Sequence, residues 1–98
     1  MKYDRGFKDF AYKTIKELVE DGLNVIRGNS TDMQMNNWLD YSQKFVELAT
    51  RNLDASIHLN YLRILISLQS NYNMPARQKI NACLDYLIEV LEIIVKQY

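Results

Sequence analysis

The chain has 98 residues with 12 basic and 12 acidic side chains, so its formal net charge is zero. Proteins that bind nucleic acid usually carry a basic excess, and this composition therefore argues against a nucleic-acid partner. The single cysteine, Cys83, excludes an internal disulfide and a CxxC zinc site. With 48% apolar residues, the chain has enough material for one domain core, and no cofactor is expected.

The first predicted helix covers residues 5–27, with Asp4 as a candidate cap. The sequence before it lacks the apolar stretch of a signal peptide, and we therefore expect a cytosolic protein. Gly22 favours a bend or an end in this helix, and Gly28 is the predicted C′ residue after it. The predicted inward residues are apolar throughout: Phe7, Phe10, Ala11, Ile15, Leu18, Val19, Leu23 and Ile26.

The second predicted helix covers residues 32–52. Thr31 and Gln34 have the spacing of a capping box, which marks its start. No glycine or proline marks its end, and a single long helix that continues to residue 71 is the less favoured alternative. Trp38, Tyr41 and Phe45 offer faces on which bases could stack, but the low basic density around them favours core packing. The predicted inward residues are Met35, Trp38, Leu39, Ser42, Phe45, Val46 and Ala49.

The third predicted helix covers residues 55–71, with Asp54 as its N-cap. It is apolar around most of its circumference, which is typical of a helix covered on several sides. We therefore expect the other helices to pack around this one. The apolar run is too short to cross a bilayer, which needs roughly 20 residues. Its apolar residues are Ile57, Leu59, Tyr61, Leu62, Ile64, Leu65, Ile66 and Leu68.

The fourth predicted helix covers residues 75–97 and follows a turn that contains Asn71 and Asn73, with Pro75 in its first turn. It carries the longest apolar stripe in the chain: Ile80, Cys83, Leu84, Leu87, Val90, Leu91, Ile94 and Tyr98. Four helices of similar length joined by short loops predict an all-α, antiparallel up-down four-helix bundle that forms a single domain over residues 1–98.

Arg51 and His58 are the best candidates for catalytic residues in this sequence. They are separated by six residues, and this Arg-x6-His form resembles the most widely spaced variants of the motif of HEPN-type ribonucleases. On one continuous helix they would share a face and could serve a phosphodiester, with arginine as clamp and histidine as general acid or base. The predicted helix break falls between them, and we therefore favour a surface histidine.

Other candidate sites have a simpler interpretation. Glu89 and Glu92 lie three residues apart, but a carboxylate-bridged metal site in a bundle also needs a Glu-x-x-His partner, which the sequence lacks. The acidic group of Glu17, Glu20 and Asp21 is likewise expected to be a solvated face. Cys83 falls on the apolar stripe of the last helix, where a cysteine usually acts as a small hydrophobe. We predict a protein without metal and without catalytic activity.

The second half of the chain has a distinctive order of elements over about residues 35–95. An apolar helix is followed by a short polar loop, and Asn73-Met74-Pro75 then opens a last helix. The apolar positions of this layout are Leu53, Ile57, Leu62, Leu65, Ile66, Ile80, Leu84, Leu87 and Ile88. In this order and spacing the chain resembles the immunity proteins for pediocin-like bacteriocins, such as the enterocin A and mundticin group.

This resemblance implies a cytosolic four-helix bundle that protects the producer of a bacteriocin. Such proteins associate with the mannose phosphotransferase permease once the bacteriocin has engaged it, from the inner side of the membrane and without crossing it. The family assigns discrimination between bacteriocins to the C-terminal half. Because this sequence ends at Tyr98 without an extended tail, we expect recognition on the outer face and end of the last helix: Arg77, Lys79, Asp85, Tyr86, Glu89, Glu92, Lys96, Gln97 and Tyr98.

Two other interpretations of the sequence remain open. A small phage- or plasmid-encoded inhibitor that covers a host or defence enzyme would also be compact and helical. Its zero net charge argues against mimicry of nucleic acid but not against a steric blocker. The second is a homodimeric bundle in place of a monomer, since tyrosine is enriched at interfaces and several tyrosines are candidates for exposure: Tyr3, Tyr12, Tyr41, Tyr72 and Tyr98.

Overall fold

A computed structural model describes residues 5–98, and these residues form an antiparallel up-down bundle of four helices. Helix α1 covers Arg5–Arg27, α2 Asp32–Thr50, α3 Ala55–Gln69 and α4 Ala76–Gln97. The predicted fold class is confirmed. Asp4, the candidate cap of α1, and Tyr3 lie outside the described residues.

Side-chain capping explains where α2 and α3 begin, and a proline precedes α4. The Thr31 hydroxyl accepts the backbone N–H of Gln34 at 3.1 Å, and the Gln34 side chain accepts the backbone N–H of Thr31 at 2.9 Å. This is the predicted capping box. Asp54 caps α3 as predicted, accepting the Ser56 backbone N–H at 2.9 Å. Pro75 is the N-cap of α4 rather than its first helical residue.

Helices α2 and α3 each end two residues earlier than predicted. Residues 51–53 form a turn, so the break between α2 and α3 is real and the single long helix is wrong. The Thr50 carbonyl accepts the backbone N–H groups of Leu53 and Asp54, which turns the chain without glycine or proline. At the end of α3, the Ser70 backbone N–H and hydroxyl both bond to the Ile66 carbonyl.

Gly22 lies inside α1, which neither ends nor breaks there. A Cβ atom at this position would be 2.8 Å from Leu84 Cδ2 and 2.9 Å from Trp38 Cζ2. The glycine is therefore explained by the close approach of α2 and α4, rather than by a bend. Gly28 follows the end of α1 as expected, but its backbone does not adopt the left-handed conformation of a C′ glycine.

Helix α3 is not the centre of the bundle, which corrects the sequence-based expectation. It packs against α2 and α4, and these two helices also contact each other across the middle. Within the described helices, no Cα atom of α1 lies within 8 Å of one of α3. Because α3 has neighbours on one side alone, it buries Ile57, Tyr61 and Leu65 and leaves Leu59 and Ile66 exposed.

The core lies between the facing sides of all four helices. Three aromatic residues predicted to point inward, Phe7, Phe10 and Phe45, are instead exposed. The inward positions of α1 are taken by Ala11, Ile15, Leu18, Val19 and Gly22, which leaves Phe10 on the flank. The buried apolar residues are Ala11, Ile15, Leu18, Val19, Met35, Trp38, Leu39, Val46, Ala49, Leu53, Ile57, Tyr61, Leu65, Ile80, Cys83, Leu84, Leu87, Val90 and Ile94.

Candidate functional site

The outer face of α4, predicted to bind a partner, is only partly available. Six of its nine predicted residues are exposed: Arg77, Asp85, Glu89, Glu92, Lys96 and Gln97. Lys79 is buried, while Tyr86 and Tyr98 are half-buried. The exposed residues form a surface of mixed charge, whereas the other three form hydrogen bonds to α3 and its N-cap.

Lys79 contacts α3 rather than solvent. Its Nζ atom donates to Gln69 Oε1 at 2.9 Å and so ties the start of α4 to the end of α3. The expectation of an outward lysine is wrong. Lys79 precedes Cys83 by four residues, which places both on the core-facing side of the helix. The spacing from Cys83 could have predicted that Lys79 is buried, but its positive charge favoured an exposed position.

Tyr86 and Tyr98 attach α4 to the first turn of α3. The Tyr86 hydroxyl donates to the Ile57 carbonyl at 3.1 Å, and its ring stacks on Tyr61 with centroids 6.1 Å apart. Burial raises the pKa of the Tyr86 hydroxyl. The Tyr98 hydroxyl donates to Asp54 Oδ2 at 3.2 Å. These two tyrosines contribute to the contact between α3 and α4.

Arg51 and His58 meet at a single carboxylate, that of Glu47. Arg51 lies 3.7 Å from Glu47 Oε1, and His58 Nε2 lies 3.6 Å from Glu47 Oε2. The structure therefore brings together the two residues of the ribonuclease hypothesis. Both side chains lie within 4 Å of the Glu47 carboxylate, whose negative charge would repel a phosphodiester. This geometry does not favour phosphate chemistry.

Cys83 is fully buried beside the Tyr61 side chain. Burial raises the pKa of its thiol from 9.0 to about 11, against a smaller opposing effect of the hydrogen bond with Tyr61. A thiol that stays protonated and is covered by the core is a poor nucleophile. Cys83 therefore has the environment of a structural residue.

Ser42 and Tyr61 form a buried polar contact that the sequence analysis did not predict. The Tyr61 hydroxyl donates to Ser42 Oγ at 2.8 Å, and Ser42 Oγ donates to the Leu39 carbonyl at 2.8 Å. Both residues are fully buried, and burial raises the pKa of the Tyr61 hydroxyl. This contact joins α2 to α3 and has a structural function.

An open groove with aromatic walls lies between α1 and α2. It has a volume of about 260 Å³. Its apolar walls come from aromatic and aliphatic side chains that remain substantially exposed, with Phe10 at 48%, Phe45 at 44% and Leu48 at 45%. The rings of Tyr41 and Phe45 meet edge to face with centroids 5.6 Å apart. The complete lining is Phe10, Thr14, Glu17, Leu18, Asp21, Tyr41, Phe45 and Leu48.

The charged residues that line this groove are both acidic. Glu17 and Asp21 lie one turn apart on α1, and no lysine or arginine is among the lining residues. Burial raises the pKa of the Tyr41 hydroxyl, and the negative charge of Asp21 raises it further. Sequence reasoning missed the groove because it placed Phe10 and Phe45 in the core. Trp38, by contrast, is fully buried as expected, and its indole N–H donates to the Leu18 carbonyl at 3.2 Å.

The chain matches no protein-family model, no curated protein and no solved structure. Residues 5–98 contain no group of three or more histidine, cysteine, aspartate or glutamate side chains placed to hold a metal ion. None of the described helices is both long enough and apolar enough to cross a membrane.

Proposed function

We propose that this protein acts by binding another protein, and that it protects a producer cell against a pediocin-like bacteriocin. The observation that carries a binding role is the exposure of Phe10, Phe45 and Leu48 in one groove. Large apolar side chains gathered in one concave surface are typical of interaction sites.

The specific role rests on the resemblance of residues 35–95 to the immunity proteins. In that role the bundle associates, at the inner side of the membrane, with the mannose phosphotransferase permease that the bacteriocin has engaged. Two features are compatible with it. The order of four helices agrees with the fold that the resemblance implies, and Asn73-Met74-Pro75 precedes α4. The exposed charges of α4 are available to discriminate between bacteriocins.

A protection assay tests the proposal. The protein is expressed in a sensitive Gram-positive strain, which is then challenged with a panel of pediocin-like bacteriocins. We expect resistance to one subgroup and reduced resistance in a variant with Asp85→Lys and Glu92→Lys, which reverses two exposed charges of α4. A matched variant with Glu20→Lys and Asp40→Lys changes charges on α1 and α2 and should protect like the parent.

Failure to protect against any member of the panel would refute the immunity role. The inhibitor of a host or defence enzyme would then become the leading interpretation. Affinity capture from host lysate, followed by an activity assay on the captured enzyme, would be the corresponding test.

A further inference from the structure

The groove between α1 and α2 is lined by residues from successive turns of both helices. Its lining residues follow helical spacing on both walls: Phe10, Thr14, Glu17 and Asp21 on one side, and Tyr41, Phe45 and Leu48 on the other. Along α1 the lining extends over three turns, or about 16 Å at the usual helical rise. On the inner side of the bundle, α4 contacts both of these helices.

The negative charge of the groove favours apolar ligands that also carry positive charge. Glu17 and Asp21 place two carboxylates beside Phe10 and Phe45, although the chain as a whole is neutral. Lys13 and Lys44 lie near these residues in sequence but do not line the groove. A segment with apolar residues on one face and lysine or arginine beside them would satisfy both the apolar walls and the carboxylates.

We propose that this groove binds a cationic amphipathic helix of a protein partner. The helix lays apolar residues at i, i+3, i+4 and i+7 against Phe10, Phe45 and Leu48, as in other helix-in-groove complexes. Its basic side chains pair with Glu17 and Asp21 on the α1 wall. The inference deepens the proposed function and rests on it in one respect, since it takes the protein to act through a protein partner.

The test uses two synthetic peptides of about 14 residues, enough for the length of the groove. Both carry leucine at the same helical positions, and their remaining positions are lysine in one and glutamate in the other. Binding is followed by chemical-shift changes of the backbone amides of the full-length protein. We expect the lysine peptide to shift amides of α1 and α2 around the groove, with affinity that falls as salt is added. The glutamate peptide should bind at least tenfold more weakly.

Variants separate the two parts of the recognition. Glu17→Gln with Asp21→Asn should weaken the lysine peptide about tenfold and abolish its preference over the glutamate peptide. Phe45→Ser with Leu48→Ser should weaken both peptides. Leu59→Ser with Ile66→Ser, which changes exposed apolar residues of α3, is the matched control and should bind like the parent. Thermal unfolding of each variant verifies that it is folded.

Equal binding of the two peptides, or shifts centred on α3 or α4, would overturn the proposal. The protection assay distinguishes this outcome from failure of the proposed function. If groove variants lose peptide binding but still protect the cell, the groove has no role in immunity and the proposed immunity function is unaffected. If the parent protein binds the lysine peptide but protects against no bacteriocin, the groove proposal is supported and the immunity role is refuted.

Discussion

The hydroxyl of Tyr98 donates a hydrogen bond to Asp54, 44 residues earlier in the chain, at 3.2 Å. Asp54 uses its other carboxylate oxygen to cap α3 through the Ser56 backbone N–H. The Asp54 carboxylate therefore caps the start of α3 and binds Tyr98 at the end of α4. Hydrogen bonds from Ser56, and to a lesser degree from Tyr98, hold the pKa of this carboxyl below its ordinary value of 3.8.

We predict that this carboxylate makes stability depend on acid pH. A lowered pKa in the folded state means that the contribution is fully present above pH 3.8 and is lost as the pH falls through the lower folded value. Asparagine caps helices about as well as aspartate does, so Asp54→Asn should preserve most of the stability at neutral pH and remove this part of the acid dependence. Urea unfolding at several pH values measures it, and a parallel loss in parent and variant would contradict it.

Gly22→Ala should destabilise the protein despite the better helix propensity of alanine. The gain in propensity is about 1 kcal/mol, whereas overpacking a close contact costs about 1–3 kcal/mol. The rigid Trp38 ring on one side limits relaxation, since the new Cβ would lie within 3 Å of it. Gly6→Ala, at an exposed position of α1, is the control and should be neutral or mildly stabilising. A melting temperature of Gly22→Ala above that of the parent would show that the contact relaxes.

Ser42 and Tyr61 should be coupled energetically. Ser42→Ala leaves a buried tyrosine hydroxyl without its acceptor, which costs about 1–3 kcal/mol. Tyr61→Phe removes the donor, and the Ser42 hydroxyl keeps its bond to the Leu39 carbonyl, so a smaller loss is expected. In the double variant, the loss should be clearly less than the sum of the two single losses. Additive losses in denaturant unfolding would mean that the contact contributes nothing specific.

Leu65 and Ile66 are adjacent and differ in environment, with side chains 5% and 59% exposed. Leu65→Ala should cost about 2–5 kcal/mol, as for other buried leucines. Ile66→Ala should change the free energy of unfolding by less than about 0.5 kcal/mol. Chemical denaturation of both variants tests the position of α3, and similar losses at the two positions would mean that its outer face is also covered.

Cys83 should report on opening of the core. Because its thiol is buried with a pKa of about 11, it should react with a thiol reagent at neutral pH far more slowly than in the urea-unfolded chain. The destabilising variant Leu65→Ala should accelerate labelling. Equal rates in the folded and unfolded protein would place Cys83 outside the core.

Local signals in the sequence were sufficient for the four helices and for the starts of α2 and α3. Thr31 and Asp54 cap helices through groups within three residues, so their spacing alone identifies them. The arrangement of the helices was harder to predict. The pattern of α3 indicates an apolar helix, but whether both of its sides are covered depends on neighbours that are distant in sequence. The contact of α2 with α4 across the bundle leaves α3 at one edge.

Predictions of burial failed for residues whose type suggests one environment and whose position on the helix gives another. Lys79 is charged and Phe45 is aromatic, so composition alone places the first outside and the second inside. The helical position of Lys79, four residues before Cys83, gives the correct answer. For Phe45 the decisive fact is that Trp38, Ser42, Val46 and Ala49 already occupy the inner side of α2. The groove could be recognised only after α1 and α2 were placed together.

Helices α1 and α3 lie on opposite sides of the contact between α2 and α4, and no Cα atom of one lies within 8 Å of a Cα atom of the other. Side chains that are far apart and share no partner usually contribute additively to stability. Substitutions on the outer surface of α1 therefore need no compensating substitution on the outer surface of α3. Over evolutionary time this layout would allow one side of the molecule to diversify towards new partners while the other side stays unchanged.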